Sequence, residues 1–264
     1  SRMLRRFGLF QVIGCDLSPT QPTLQSDLGF RTQISGLTGF GRVPPNVKFL
    51  VDDIESEWAY EHNPFDFIHA RNLFISIRDY GKLIKHAIGM PSEPFFPDSL
   101  TRNRSVKPGG WVEFQDWDLS PVSPDDSLDG TGFQRYYDEL QNAFEEAGYE
   151  VSPGPKLEQW FIDAGFVNIH MEKFLIPYGA WPKDRHLVSP SPSLFAERMI
   201  SPDLFVQKKL GAWNQAQAEA NGFEAGALAV LTRYKQWTKE EVILLASQAR
   251  ADGRKRNIHA LFNL

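Results

Sequence analysis

Four short apolar runs, each closed by an acid or another polar residue, constrain this chain more than any other feature. Gln11 to Cys15 runs into Asp16, Val47 to Val51 into Asp52-Asp53, Phe65 to Ala70 closes on His69 and Arg71, and Trp111 to Phe114 meets Gln115, Asp116 and Asp118. Short β-branched or aromatic runs bounded by turn signals read as buried strands. The last of them follows the turn Lys107-Pro108-Gly109-Gly110. In an open parallel α/β sheet, ligands bind at the carboxyl ends of the strands, which is where these polar groups gather.

Helices are expected between and after the strands. Tyr80, Leu83, Ile84, Ala87 and Ile88 form an apolar stripe at helical spacing, and so do Leu157, Trp160, Phe161 and Ala164, with Pro155 in the first turn and Gly165 past the end. A third helix starts at Thr238, where Thr238 and Glu241 stand at capping-box spacing ahead of a stripe of Val242, Leu245, Ala246 and Ala249. Val167 to Ile176 and Ile258 to Leu264 read as two late strands, and Trp160, Trp213 and Trp237 as packing residues. Three stretches, about 24–42, 89–101 and 188–207, lack periodicity and are rich in Ser, Pro, Gly and Phe. Structureless loops of that length are uncommon inside a compact domain.

Composition narrows the function classes. The formal net charge of −5 has the wrong sign for a chain that would gain affinity by neutralising phosphates, which argues against nucleic-acid binding. The single cysteine, Cys15, cannot close an internal disulfide, and no Cys/His set has zinc spacing, so a metal-free intracellular protein, cytoplasmic or nuclear, is expected. No apolar run reaches the ~18 residues of a membrane span. His170, His186 and His259 are far apart and read as satisfied polar positions, and Arg254-Lys255-Arg256 as a solvated turn at a helix end.

The segments Val12 to Pro19, Val43 to Phe49, Val51 to Glu55, Phe65 to Arg71 and Lys107 to Asp116 resemble, in order, class I S-adenosylmethionine-dependent methyltransferases, and among them the fungal LaeA-like branch. Pro153 to Leu157, Ala164 to Phe166, Trp181 to Asp184 and Ile258 to Ala260 continue the resemblance. It implies a Rossmann-like, doubly wound, mostly parallel sheet in a single α/β domain, with an antiparallel last strand and a helical cap at about 182–253 lying over the cofactor edge. It also implies S-adenosylmethionine as cofactor. Asp16, with Leu17 beside it, is assigned to the ribose hydroxyls, since a carboxylate can accept from both. Asp53 and Ile54 are assigned to the adenine, and His69 to the methionine end.

Arg71, Gln115 and Asp116 are the substrate-side candidates, and Asp118 extends from the same strand. Residue-level alternatives stand beside these roles: Asp16 and Asp53 as turn caps, Arg71 as a structural ion-pair partner. No catalytic residue follows from the sequence, because methyl transfer gains chiefly from positioning. The glycine-rich loop that the family places after its first strand has no counterpart ahead of Asp16, so a truncated start lacking that strand is expected. The third irregular stretch opens with Val188 and closes with Gln207, as an unspliced in-frame intron would, and all three stretches are expected to be insertions of that kind. The expected function is transfer of a methyl group to a small secondary metabolite or a protein. The alternative is a non-enzymatic regulator of secondary metabolism that acts through protein partners. A nicotinamide-dependent oxidoreductase fits least, since Asp52-Asp53-Ile54 and Lys107 to Gly110 have no place in its fingerprint.

Overall fold

A computed structural model describes residues 11–17, 46–56, 58, 65–89, 105–182 and 204–264. The chain divides into two compact units, Ser1–Ala59 and Tyr60–Leu264. Within the first, β1 (Val12–Asp16) and β2 (Val47–Val51) pair in parallel, with Val12 opposite Val47 and Asp16 opposite Val51. Both strands fall where the β-branched runs place them, and both carboxyl ends therefore share one edge.

In the second unit, β3 (Phe65–Arg71) and β4 (Val106–Gln115) form another parallel pair. The strand expected to begin at Trp111 starts five residues earlier, so the expected turn lies inside it. The register slips between the pairs Phe65–Val106 and Phe67–Trp111, and Gly109, at φ 80°, takes up the extra chain. Gly110 follows because a Cβ there would meet the Asp66 carbonyl oxygen at 2.9 Å. α1 (Tyr80–Ile88) buries Tyr80, Leu83, Ile84 and Ala87 from its expected stripe, with Asp79 as N-cap and Gly89 as a left-handed C-cap. α3 (Gly154–Asp163) buries Leu157 and Phe161, and Tyr80 stacks on Trp160 at 5.6 Å between centroids.

The helical core lies around α2 (Gly132–Glu146), α5 (Phe223–Tyr234) and α6 (Lys239–Gly253). Phe133, Tyr136, Leu140 and Ala143 of α2 meet Ala227 and Leu231 of α5 and the whole expected stripe of α6 in one buried cluster. The Thr238–Glu241 capping box is formed in both directions. α4 (Leu204–Asn221) begins inside the stretch expected to be irregular, so Leu204 to Gln207 are its first turn. Trp213 on α4 is 56% exposed and is not a packing residue, whereas Trp160 and Trp237 are.

The late strands are shorter than expected. β5 (Leu175–Pro177) pairs antiparallel with β6 (Leu261–Asn263). Asn168, at φ 58°, breaks the extended chain after Val167, and His259 gives its backbone N–H to Ser127 rather than to a strand. The α/β class and the mostly parallel pairing hold, but the ladders among the described residues are three two-stranded ones. The insertions expected at about 24–42 and, past Gly89, at 89–101 lie outside the described residues, as do Ser18-Pro19, Val43 to Pro45 and 183–203.

Candidate functional site

In the first unit the carboxyl edge of β1–β2 brings together Asp16, Leu17, Asp52, Asp53 and Ile54. Asp16 is half-buried at the end of β1, and its carbonyl accepts from the Asp52 N–H at 3.1 Å. That bond carries the ladder one residue past the strand and sets the turn Asp53 to Ser56 beside Asp16. The turn is held by its own acids: Asp52 accepts from the Asp53 N–H, and Asp53 Oδ1 from the Glu55 N–H, each at 2.9 Å. Asp53 thus caps its turn through one oxygen. Leu17 is 72% exposed, an apolar side chain presented to solvent beside a carboxylate.

In the second unit the carboxyl edge of β3–β4 aligns His69 with Glu113 and Arg71 with Gln115. His69 Nδ1 lies 2.9 Å from Glu113 Oε2, and the ring stacks on Phe67 at 6.1 Å. Arg71 is exposed and Gln115 half-buried. The backbone turns sharply past β3, where Asn72 and Ile75 adopt φ of 56° and 57°. The Asn72 N–H donates to the Gln115 carbonyl at 3.1 Å, and the Trp117 indole N–H donates to Asn72 Oδ1 at 3.0 Å.

The two acids beyond β4 point inward. Asp116 is 7% exposed, and burial raises its pKa against the pull of its hydrogen bonds. Asp118 is also buried, its pKa likewise raised by burial, and its Oδ1 accepts from the Gly154 N–H at 3.2 Å, at the start of α3. A carboxylate at a helix N-terminus meets unpaired N–H groups and the positive end of the dipole, which is a structural role. Asp116, an expected substrate-side residue, likewise lies beneath the edge rather than on it.

Sequence reasoning missed a second ion-pair cluster, in which His259 Nδ1 lies 2.6 Å from Asp125 Oδ2 and Trp181 packs on the imidazole at 4.5 Å. Burial pushes the Asp125 carboxyl up, but bonds from Ser127, His259 and Ser123 outweigh it and hold the group well below its ordinary value. It joins the loop before α2 to the approach to β6, a link between segments 134 residues apart that no local pattern signals. His170 pairs with Glu172, and Arg254 and Lys255 with Glu219 and Asp252. Among the described residues no cluster of His, Cys, Asp and Glu is placed to hold a metal ion, and no helix is long and apolar enough to cross a membrane.

Residues 1–171 match the family model of a methyltransferase domain. A methyltransferase of Aspergillus terreus, pytC, is 30% identical over 253 residues, which cover 96% of this chain and 61% of the relative. The secondary metabolism regulator LAE1 of Cochliobolus heterostrophus is 27% identical over 84% of this chain and 62% of its own length. A protein-methionine methyltransferase, laeA of Emericella nidulans, is 24% identical over 94% of this chain and 53% of its own. The chain thus spans between 53% and 62% of the length of these curated relatives.

Proposed function

The chain belongs to the methyltransferase-domain family, and on that premise we propose that it binds S-adenosylmethionine and passes its methyl group to an acceptor. The observation that carries this reading is the carboxyl edge of β1–β2, where Asp16 and the Asp52 to Ile54 turn stand side by side. The donor set suits a nucleoside. The Asp16 carboxylate can accept from a ribose diol. Leu17 and Ile54 offer apolar surface, and Asp53, with one oxygen spent on its turn, keeps the other for an amine. His69 is assigned to the methionine end through the family resemblance, and its pairing with Glu113 fixes the ring.

Bound there, the cofactor would supply an activated sulfonium methyl, and the protein's part is to hold an acceptor nucleophile in line with it. Arg71 and Gln115, side by side on the second edge, are the residues assigned to the acceptor side. A general base must reach the proton it takes, and buried Asp116 does not meet that condition. We assign the protein to the inside of the cell, in cytoplasm or nucleus, where a lone cysteine stays reduced.

The acceptor is a small secondary metabolite or a protein. Incubating protein expressed from the complete transcript with methyl-labelled S-adenosylmethionine and an extract of its source organism separates these. Label in the organic-soluble fraction identifies a metabolite, and label retained on protein identifies a polypeptide. A second reading is favoured by the description of LAE1 as a secondary metabolism regulator: a non-enzymatic protein acting through partners. That reading predicts label in neither fraction.

A further inference from the structure

Asp116 is the most heavily engaged acid near the second carboxyl edge. Its Oδ1 accepts from the Phe74 N–H at 2.9 Å and the Trp117 N–H at 3.1 Å. Its Oδ2 accepts from the Leu73 N–H at 3.1 Å and the Tyr80 hydroxyl at 2.6 Å. An ionised carboxylate offers about four lone-pair sites, and four donors fill them. It has no capacity left for an acceptor's proton.

What those bonds hold is strained. Asn72 and Ile75 both sit in the left-handed region, which asparagine adopts readily but which costs the β-branched Ile75 about 1 kcal/mol or more. A backbone held that way persists only where its surroundings over-determine it. Here Asp116 ties down the two residues between Asn72 and Ile75 and joins them to the exit of β4 and the first residue of α1. The exposed Asn72 is then pinned twice more, by Gln115 through its backbone and by Trp117 through its side chain.

We propose that Asp116 is a positioning residue for the acceptor, which fixes Arg71, Asn72 and Trp117 as one rigid lip on the carboxyl edge of β3–β4. The proposal rests on the methyltransferase reading. Asp116 does not touch the reactants, so its removal acts through the lip. Tyr80 gives the means to test this, because a hydroxyl can turn from donor to acceptor and a backbone N–H cannot. In Asp116→Asn the amide carbonyl keeps the bonds at the Oδ1 position and the new NH2 group donates to a reversed Tyr80 hydroxyl, while the Leu73 N–H and the Tyr80 O–H both lose their acceptor at the Oδ2 position. Adding Tyr80→Phe leaves the NH2 group without an acceptor, so the double variant is worse than the sum of the singles.

The experiment measures transfer of label from methyl-labelled S-adenosylmethionine to the extract of the source organism by the full-length wild type, Asp116→Asn, Tyr80→Phe and the double variant, at a temperature where near-UV circular dichroism shows each folded. Hydrogen exchange is followed alongside. Expected are a rate lower by about threefold for Asp116→Asn, little change for Tyr80→Phe, and a rate lower by about thirtyfold for the double variant, with exchange accelerated only over residues 71–76. A wild-type rate in the folded double variant overturns the proposal, as does faster exchange spread through α1, α2 and α3, which marks a merely structural acid. A wild type that transfers no label overturns the methyltransferase reading itself. Should the double variant not fold, Asn72→Gly decides instead, since glycine accepts the left-handed backbone and deletes only the side chain of the lip. It is expected to slow transfer about threefold or more, and an unchanged rate overturns the proposal.

Discussion

The Gly179 N–H donates to the Gly211 carbonyl at 3.0 Å, bringing the backbone of α4 directly against the chain that leaves β5. A Cβ on Gly211 would lie 2.1 Å from the Gly179 carbonyl oxygen, a contact that no side-chain movement relieves. Helix propensity favours Gly211→Ala by about 1 kcal/mol. The overpacking penalty, about 1–3 kcal/mol, runs the other way and is the larger. Gly211→Ala is therefore expected to destabilise the protein by up to about 2 kcal/mol, read as a lower urea midpoint, and a raised midpoint would mean that α4 does not dock through this contact.

The capping box of α6 provides a second test. Thr238 Oγ1 accepts from the Glu241 N–H while the Glu241 side chain accepts from the Thr238 N–H, so two otherwise unpaired donors are satisfied together. Thr238→Ala should cost about 1 kcal/mol in urea unfolding, and Thr238→Ser should recover most of it. Equal losses in both variants would contradict the cap.

Glu224 and Arg250 tie α5 to α6, and the sign of their pH dependence is fixed. The Arg250 hydrogen bond holds Glu224 below its ordinary value of 4.5, with burial working the other way. A carboxyl lowered in the folded state stabilises it above the unfolded value and loses that contribution as pH falls through the folded one. Both side chains are part-exposed, at 33% for Glu224 and 28% for Arg250, so the effect is small. Glu224→Gln should lower stability by up to about 1 kcal/mol at neutral pH, with the gap to wild type closing below pH 4.5 in urea titrations. A gap that stays constant into acid would rule out the ion pair as its source.

Much of the fold is legible because each signal is local. Val47 to Val51 is bounded by its own turn residues, and Thr238 lies three residues from the glutamate that completes its cap. α2 carries a readable signal too, in Phe133, Tyr136, Leu140 and Ala143 at helical spacing after Thr131, but its aromatic face does not stand out in a chain with 20 Phe. The extent of β4 and β5 is another matter. Both depend on left-handed residues, Gly109 and Asn168, and on partner strands that lie far along the chain.

The site divides the same way. That Asp16, Asp53, His69 and Arg71 end or follow strands can be read from the chain, since strand ends are local. Whether an acid at such an end faces solvent or the interior cannot. Asp116 and Asp118 carry the same local pattern as Asp16, yet Tyr80, Leu73, Phe74 and Gly154 draw them inward across 35 to 45 residues of sequence.

The most direct test of the central claim is calorimetric titration of S-adenosylhomocysteine into protein expressed from the complete transcript, beside its Asp16→Ala variant. The predicted result is saturable binding by the wild type and at least a tenfold loss in Asp16→Ala, about 1.4 kcal/mol, with near-UV circular dichroism showing both proteins folded. No binding by the folded wild type, or equal binding by both proteins, would contradict it.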